Sequence, residues 1–281
     1  MDLSKTESMM CATGRATYFR HVKPYTTPIV LLHGGGLDCA SLSWRRLFPV
    51  LGQTNSVFAP NWPGYGGSDP LGGPYTIADL GRWLLSLMDA LEIENAHMVG
   101  LSMGGGVALW VAIHHPERAE RLVPVGTYGV QGRAPYHLLS YLTAQLPLNT
   151  LSYALMRRNR GVLVKALQMI FADPAKLTDD IVDEVAEILQ TSAVGRVFSN
   201  FQRGEMTLRG LRTVLTPQLK AVHHPALFIH GRGDNLVPLV DVQAAANKMP
   251  NARVDVMDAG HWPMRECPLE FNEKVVAFLR I

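Results

Sequence analysis

The chain has 281 residues, 47% hydrophobic and 18% charged, with 26 Lys and Arg against 24 Asp and Glu. That near-balance, with no run of five like charges, argues against disorder, a nucleic-acid groove or a polybasic membrane patch. Three widely spaced cysteines, Cys11, Cys39 and Cys267, in no CxxC pair, argue against a disulfide framework or zinc ribbon. No segment approaches the roughly 18 to 20 apolar residues of a membrane span. The opening MDLSKTESMMCATGR lacks the apolar core of a secretory signal, so the cytoplasm is the expected compartment.

Strand-like and helical runs alternate from residue 29 to 126, the pattern of parallel βαβ units. Residues 28–32 form a short apolar run that stops at His33-Gly34-Gly35-Gly36. Residues 56–59 form another, which stops at Pro60-Asn61-Trp62-Pro63-Gly64-Tyr65-Gly66-Gly67. Both read as buried strands ending in loops. Ile77, Leu80, Leu84, Leu87, Met88 and Leu91 then follow a helical period, with Thr76 as cap and Asp79 three residues later. Residues 96–99 predict a third buried strand. Residues 105–114, apolar or small all round, predict a helix buried on most of its surface, and 122–125 predict a further strand.

From about residue 128 to 219 the chain becomes helical and rich in Leu and Met, which reads as an inserted cap. Tyr136, Leu138, Leu139, Tyr141, Leu142, Leu146, Leu148, Leu151 and Tyr153 are expected mostly inside that cap, some facing a pocket. Arg157, Arg158 and Arg160 are expected on a solvated helix face. Ile181, Val182, Val185, Ile188 and Leu189 predict an amphipathic helix. A strand at 226–229, a helix at 240–248, a strand at 253–257 and a helix from Pro268 resume the core. The expected division is therefore 1–127 and 220–281 as core and 128–219 as cap.

Gly100-Leu101-Ser102-Met103-Gly104 is a GxSxG between a strand and a helix. A sharp turn there strains the serine and lifts its hydroxyl above the sheet edge, and small neighbours are needed because a Cβ would collide with the adjoining elements. A serine hydroxyl is a weak nucleophile at neutral pH and needs a base, which needs an orienting carboxylate. His261 and Asp234 follow the last two strands, giving the order Ser, Asp, His. Asp258, three residues before His261, is the rival acid. The other rival position, after the strand at 122–125, holds Gly126 and Thr127 with no carboxylate. His33 is expected as a structural residue beneath the glycine loop. The pairs His114-His115 and His223-His224 are expected at element ends; no HExxH occurs, and neither a metal nor a nucleotide is implied.

Four features, His33-Gly34-Gly35-Gly36, Trp62-Pro63-Gly64-Tyr65-Gly66-Gly67-Ser68, the Ser102 elbow, and the Asp234 and His261 loops, together resemble the α/β-hydrolase family from about Gly14 onward. The resemblance implies a mostly parallel, doubly wound α/β sheet with a helical lid between the sixth and seventh strands. It implies Ser102 as nucleophile, His261 as general base and acid, and Asp234 as the residue fixing its tautomer. The oxyanion hole would be the amides of Met103 and Gly35, with Gly36 as a substitute. No cofactor is implied, and the partner is a small-molecule substrate.

The first expectation is cleavage of a partly hydrophobic carboxylic ester through an acyl-enzyme. Carbon–carbon bond hydrolysis of a ring-cleavage diketone is the alternative, because His33-Gly34-Gly35-Gly36, Gly260-His261-Trp262 and Glu270-Phe271-Asn272 look similar to that subfamily. Leu101 and Leu37-Asp38 depart from it, standing where that group resembles Asn-Ser and Pro-Gly. A lactonase, a cofactor-free haloperoxidase or perhydrolase, and a non-catalytic small-ligand receptor on the same fold complete the alternatives.

Overall fold

The computed structural model describes residues 3, 5–146, 148–191 and 194–279. Eight strands, β1 Glu7–Cys11, β2 Gly14–His21, β3 Ile29–Leu32, β4 Val57–Pro60, β5 Ala96–Leu101, β6 Ala119–Val125, β7 Ala226–Gly231 and β8 Ala252–Met257, form one sheet in the order β1-β2-β4-β3-β5-β6-β7-β8. The pairs from β4 through β8 are parallel, while β1 and β2 join antiparallel at one edge. The sequence reading began its strands at residue 28 and did not include that edge hairpin.

The helices are α1 Ala40–Ser43, α2 Phe48–Leu51, α3 Ile77–Ala90, α4 Met103–His114, α5 His137–Gln145, α6 Leu148–Arg158, α7 Arg160–Gln168, α8 Asp179–Thr191, α9 Val194–Glu205, α10 Leu239–Ala246, α11 Pro263–Glu266 and α12 Pro268–Leu279. Helices α5 to α9 all lie in the chain between β6 and β7. Thr76 and Asp79 form the expected reciprocal capping box at the start of α3. Along α4 every residue from Met103 to Ala112 is buried.

Strand alternation builds two cores, one on each face of the sheet. Val30, Leu32, Met98, Leu122 and Phe228 join α3, α4 and α10 on one side. Ile29, Leu31, Val99, Leu101, Val123 and Ile229 join α1, α2 and α12 on the other, where Ile181, Val182, Val185 and Leu189 of α8 also pack. Leu101 is fully buried on this second face, so the residue before the elbow serine is a core side chain.

Tyr136, Leu138, Leu139, Leu142, Leu146, Leu148 and Leu151 are exposed, which corrects the expectation that they form cap interior. Their helices turn other residues inward. Ala144 of α5 and Met156 of α6 are buried, and Tyr153 lies partly buried over the glycine loop.

Candidate active site

Ser102 sits between the last residue of β5 and the first of α4 with φ 49° and ψ −112°, a strained conformation for a residue with a Cβ. Tertiary bonds impose it. The Ser102 amide donates to Val125 O at 2.7 Å, and the Ser102 carbonyl accepts from Gly106 at 3.0 Å and Tyr128 at 3.1 Å. The flanking glycines are steric necessities, since a Cβ at Gly100 would lie 2.4 Å from Gly104 O and one at Gly104 would lie 2.2 Å from Leu32 O. Ser102 is partly exposed between two buried neighbours.

Beyond Val125 the chain turns at Gly126, with φ +48°. A Cβ here would stand 3.0 Å from His261 Nδ1 and 3.2 Å from Asp234 Oδ2, so β6 ends against the other two residues. His261 Nδ1 and Asp234 Oδ2 are 2.7 Å apart. With the Nδ1 proton donated to the carboxylate, Nε2 carries the lone pair of the neutral ring. Asp234 Oδ1 accepts the amides of Leu236 at 2.8 Å and Val237 at 3.1 Å, which fixes the carboxylate. Burial pushes the Asp234 carboxyl up, but His261 beside it, with His230 and the Leu236 amide, outweighs burial and holds it below the usual range. Asp258, the rival acid, is exposed and pairs with Arg232 at 3.1 Å.

The glycine loop is ordered from below. His33 is fully buried; its Nδ1 donates to Gly34 O at 2.7 Å and its Nε2 accepts the Trp62 amide at 3.1 Å. Burial drives the ring down to about 3, so it stays neutral, and its role is structural as expected. The buried Asp38 carboxylate takes the Gly34 amide at 2.6 Å, the Ser43 hydroxyl at 2.6 Å and the Cys39 amide at 2.8 Å. The Gly36 amide donates to the Tyr65 hydroxyl at 3.1 Å. Among the described residues, the amides of Gly35 and Met103 have no acceptor. Gly35 is also the one partly exposed residue from Ile29 to Ala40. The Gly36 amide is thus engaged within the protein while the Gly35 amide is not, a difference the sequence did not reveal.

Two side chains from the inserted helices cover this loop. A Cβ at Gly35 would lie 2.8 Å from the Phe198 ring, and one at Gly36 would lie 3.0 Å from the Tyr153 hydroxyl. On the far side, the His261 amide donates to Ile170 O at 2.7 Å. Glu266 gathers the amides of Gly260 at 2.7 Å, Asp173 at 2.8 Å and Ala172 at 3.1 Å. Sequence reasoning missed Asp38, Glu266 and Phe198 as neighbours of the site, and it left Tyr153 undivided among the cap residues expected inside the cap or facing a pocket. Only contacts across the fold reveal them.

Residues 29–274 match the alpha/beta hydrolase family, and the chain belongs to it. A 2-hydroxymuconate semialdehyde hydrolase of Pseudomonas sp. strain CF600 is 32% identical over 260 residues, covering 90% of this chain and 86% of that protein. Among solved structures, a serine hydrolase of Cycloclasticus zankles aligns with a TM-score of 0.81 and 26% identity over 98% of this chain and 97% of that one. A meta-cleavage product hydrolase of Pseudomonas fluorescens IP01 aligns with a TM-score of 0.81 and 26% identity over 97% of this chain and 96% of that one. No helix among the described residues is long and apolar enough to cross a membrane.

Proposed function

We propose that the protein is a serine hydrolase that cleaves a carbon–carbon bond next to a carbonyl, in a substrate of the ring-cleavage product class. The observation that carries this reading is the 32% identity, over 90% of the chain, with a hydrolase named for 2-hydroxymuconate semialdehyde. It gives the carbon–carbon alternative precedence over the ester expectation. Ser102, His261 and Asp234 act as nucleophile, base and orienting acid; the elbow geometry and the 2.7 Å His261 to Asp234 contact support these roles.

In the proposed reaction, the substrate's dienol first becomes its keto form, so that the bond to be broken lies next to an electron-accepting enone. His261 Nε2 then takes the Ser102 proton as the serine oxygen attacks the carbonyl carbon, and the Gly35 and Met103 amides hold the resulting oxyanion. Collapse breaks the carbon–carbon bond, the electron pair leaves as a dienolate, and His261 returns its proton to that departing dienolate. Water activated by His261 hydrolyses the acyl-enzyme, releasing a carboxylic acid and Ser102.

A specific observation favours ester cleavage as the second reading. Leu101 is wholly buried in the core, so the elbow offers no polar side chain to a dienoate carboxylate, and the residues over the glycine loop are Phe198 and Tyr153. Rates with 2-hydroxymuconate semialdehyde, followed by loss of its absorbance, and with p-nitrophenyl butyrate separate the two. A kcat/KM for the dienoate at least tenfold above the ester, abolished by Ser102→Ala, supports the first reading. Ester turnover alone supports the second, and neither rate with an unlabelled Ser102 after fluorophosphonate treatment overturns both.

A further inference from the structure

The exposed leucines of α5 and α6 form an organised surface. Leu139, Leu142 and Leu146 recur at i, i+3 and i+7 along and just past α5, and Leu148, Leu151 and Leu155 repeat the spacing along α6. Each triplet is a single helical stripe. All six side chains are exposed, Leu139 at 63% and Leu151 at 65%, and Tyr136 adds another at 86%. Tyr153, on the opposite side of α6, covers the glycine loop. Contiguous exposed apolar surface on this scale marks an interaction site.

Charge identifies what it meets. The chain as a whole is balanced, but from Arg121 to Ala172 it contains no Asp or Glu, while it carries Arg133, Arg157, Arg158, Arg160 and Lys165. Arg158 extends the α6 stripe, three residues beyond Leu155. Arg160 is taken up by Asp179 and Asp183 of α8, whereas Arg157 and Arg158 are exposed and, among the described residues, make no ion pair. A second copy of the chain packing its own α5 and α6 face here would bring arginine against arginine, since neither helix carries a carboxylate. Leucine stripes that end at two arginines without an ion pair among the described residues instead suit a surface with an apolar interior and anionic headgroups.

We propose that the outer face of α5 and α6 docks the protein onto anionic lipid bilayers. The leucines enter the headgroup and acyl boundary, while Arg157 and Arg158 meet the phosphates. The binding is independent of the reaction assigned above.

Co-sedimentation of the full chain with phosphatidylcholine vesicles, alone or containing phosphatidylglycerol, tests it. Binding is expected with the anionic vesicles, weakened in high salt, and feeble with phosphatidylcholine alone. Arg157→Glu/Arg158→Glu should lower the partition coefficient by at least about 25-fold, from roughly fivefold per cation removed. Leu139→Asp/Leu151→Asp should lower it about 100-fold or more, from roughly tenfold per leucine. Circular dichroism and reaction of Ser102 with a fluorophosphonate establish that each variant is folded. Absence of binding to anionic vesicles overturns the proposal, as does binding that both double variants retain. Sedimentation of the wild type as a dimer that Leu139→Asp/Leu151→Asp converts to monomer would overturn it in favour of a second copy.

Discussion

The Asp38 carboxylate accepts the Gly34 amide at 2.6 Å from a fully buried position beneath the glycine loop. Because the same carboxylate also holds the Ser43 hydroxyl and the Cys39 amide, it is an acceptor for three donors at once. An amide side chain offers one oxygen and turns an NH2 group toward donors. Asp38→Asn should therefore shift the loop carrying the Gly35 amide, and a displacement of about 1 Å at an oxyanion donor costs up to ~100-fold in rate. Steady-state kinetics are expected to show kcat down about 10- to 100-fold with KM within about twofold.

Asp38 and His33 impose opposite pH dependences on folding. Burial raises Asp38 from 3.8 to about 6, so the folded chain holds that proton more tightly and stability falls as pH rises through this window. Burial lowers His33 from 6.5 to about 3, so the unfolded chain holds that proton more tightly and stability falls as pH drops. Between about pH 4 and 6 each contributes a slope of roughly 1.4 kcal/mol per pH unit, and the two cancel. In Asp38→Asn only the histidine slope remains. Urea unfolding at several values across that range should show the variant losing about 1.4 kcal/mol per unit relative to wild type as acid is added; a constant difference between the two proteins would refute the opposed titrations.

Gly35 touches the inserted helices through Phe198. Its backbone is not in the left-handed region, so alanine is excluded only by the ring that a Cβ would meet at 2.8 Å. Gly35→Ala is expected to lower kcat about 10- to 100-fold by displacing the loop. Gly35→Ala/Phe198→Leu should recover most of it. A double variant no faster than the single one would place the damage elsewhere than in this contact.

The two aspartates near His261 should respond differently to the same change. Asp234→Asn is expected to reduce kcat about 10⁴-fold, by removing the acceptor that fixes the Nδ1 proton. Asp258→Asn, at an exposed position whose one ion pair among the described residues is with Arg232, should leave kcat within about twofold. Parallel kinetics of the two variants, with thermal melts to compare folding, check the assignment.

Those contrasts also show what a sequence can carry. The positions of Ser102, Asp234 and His261 just beyond β5, β7 and β8 were legible, because a short run of strand-forming residues that gives way to glycine is a local signal. The Thr76 and Asp79 capping box was legible for the same reason. The β1 and β2 hairpin was not, since the edge strand β1 has no fully buried residue and β2 buries only Ala16 to Phe19, with Arg15 and Arg20 exposed on either side. That the Gly36 amide is taken by Tyr65 shows only in the fold, and Asp38 can be seen as an anchor only once Gly34, Cys39 and Ser43 surround it. The leucines of α5 and α6 misled because Leu normally signals interior, and only the packed helices show which face is left over.

Glu266 ties Gly260, Ala172 and Asp173 together, and the His261 amide is bonded to Ile170. The stretch from Ile170 to Asp173 belongs to the inserted segment, so that segment cannot swing away as one piece without taking the histidine with it and parting it from Asp234. The insert therefore has a stationary half, built into the wall behind His261.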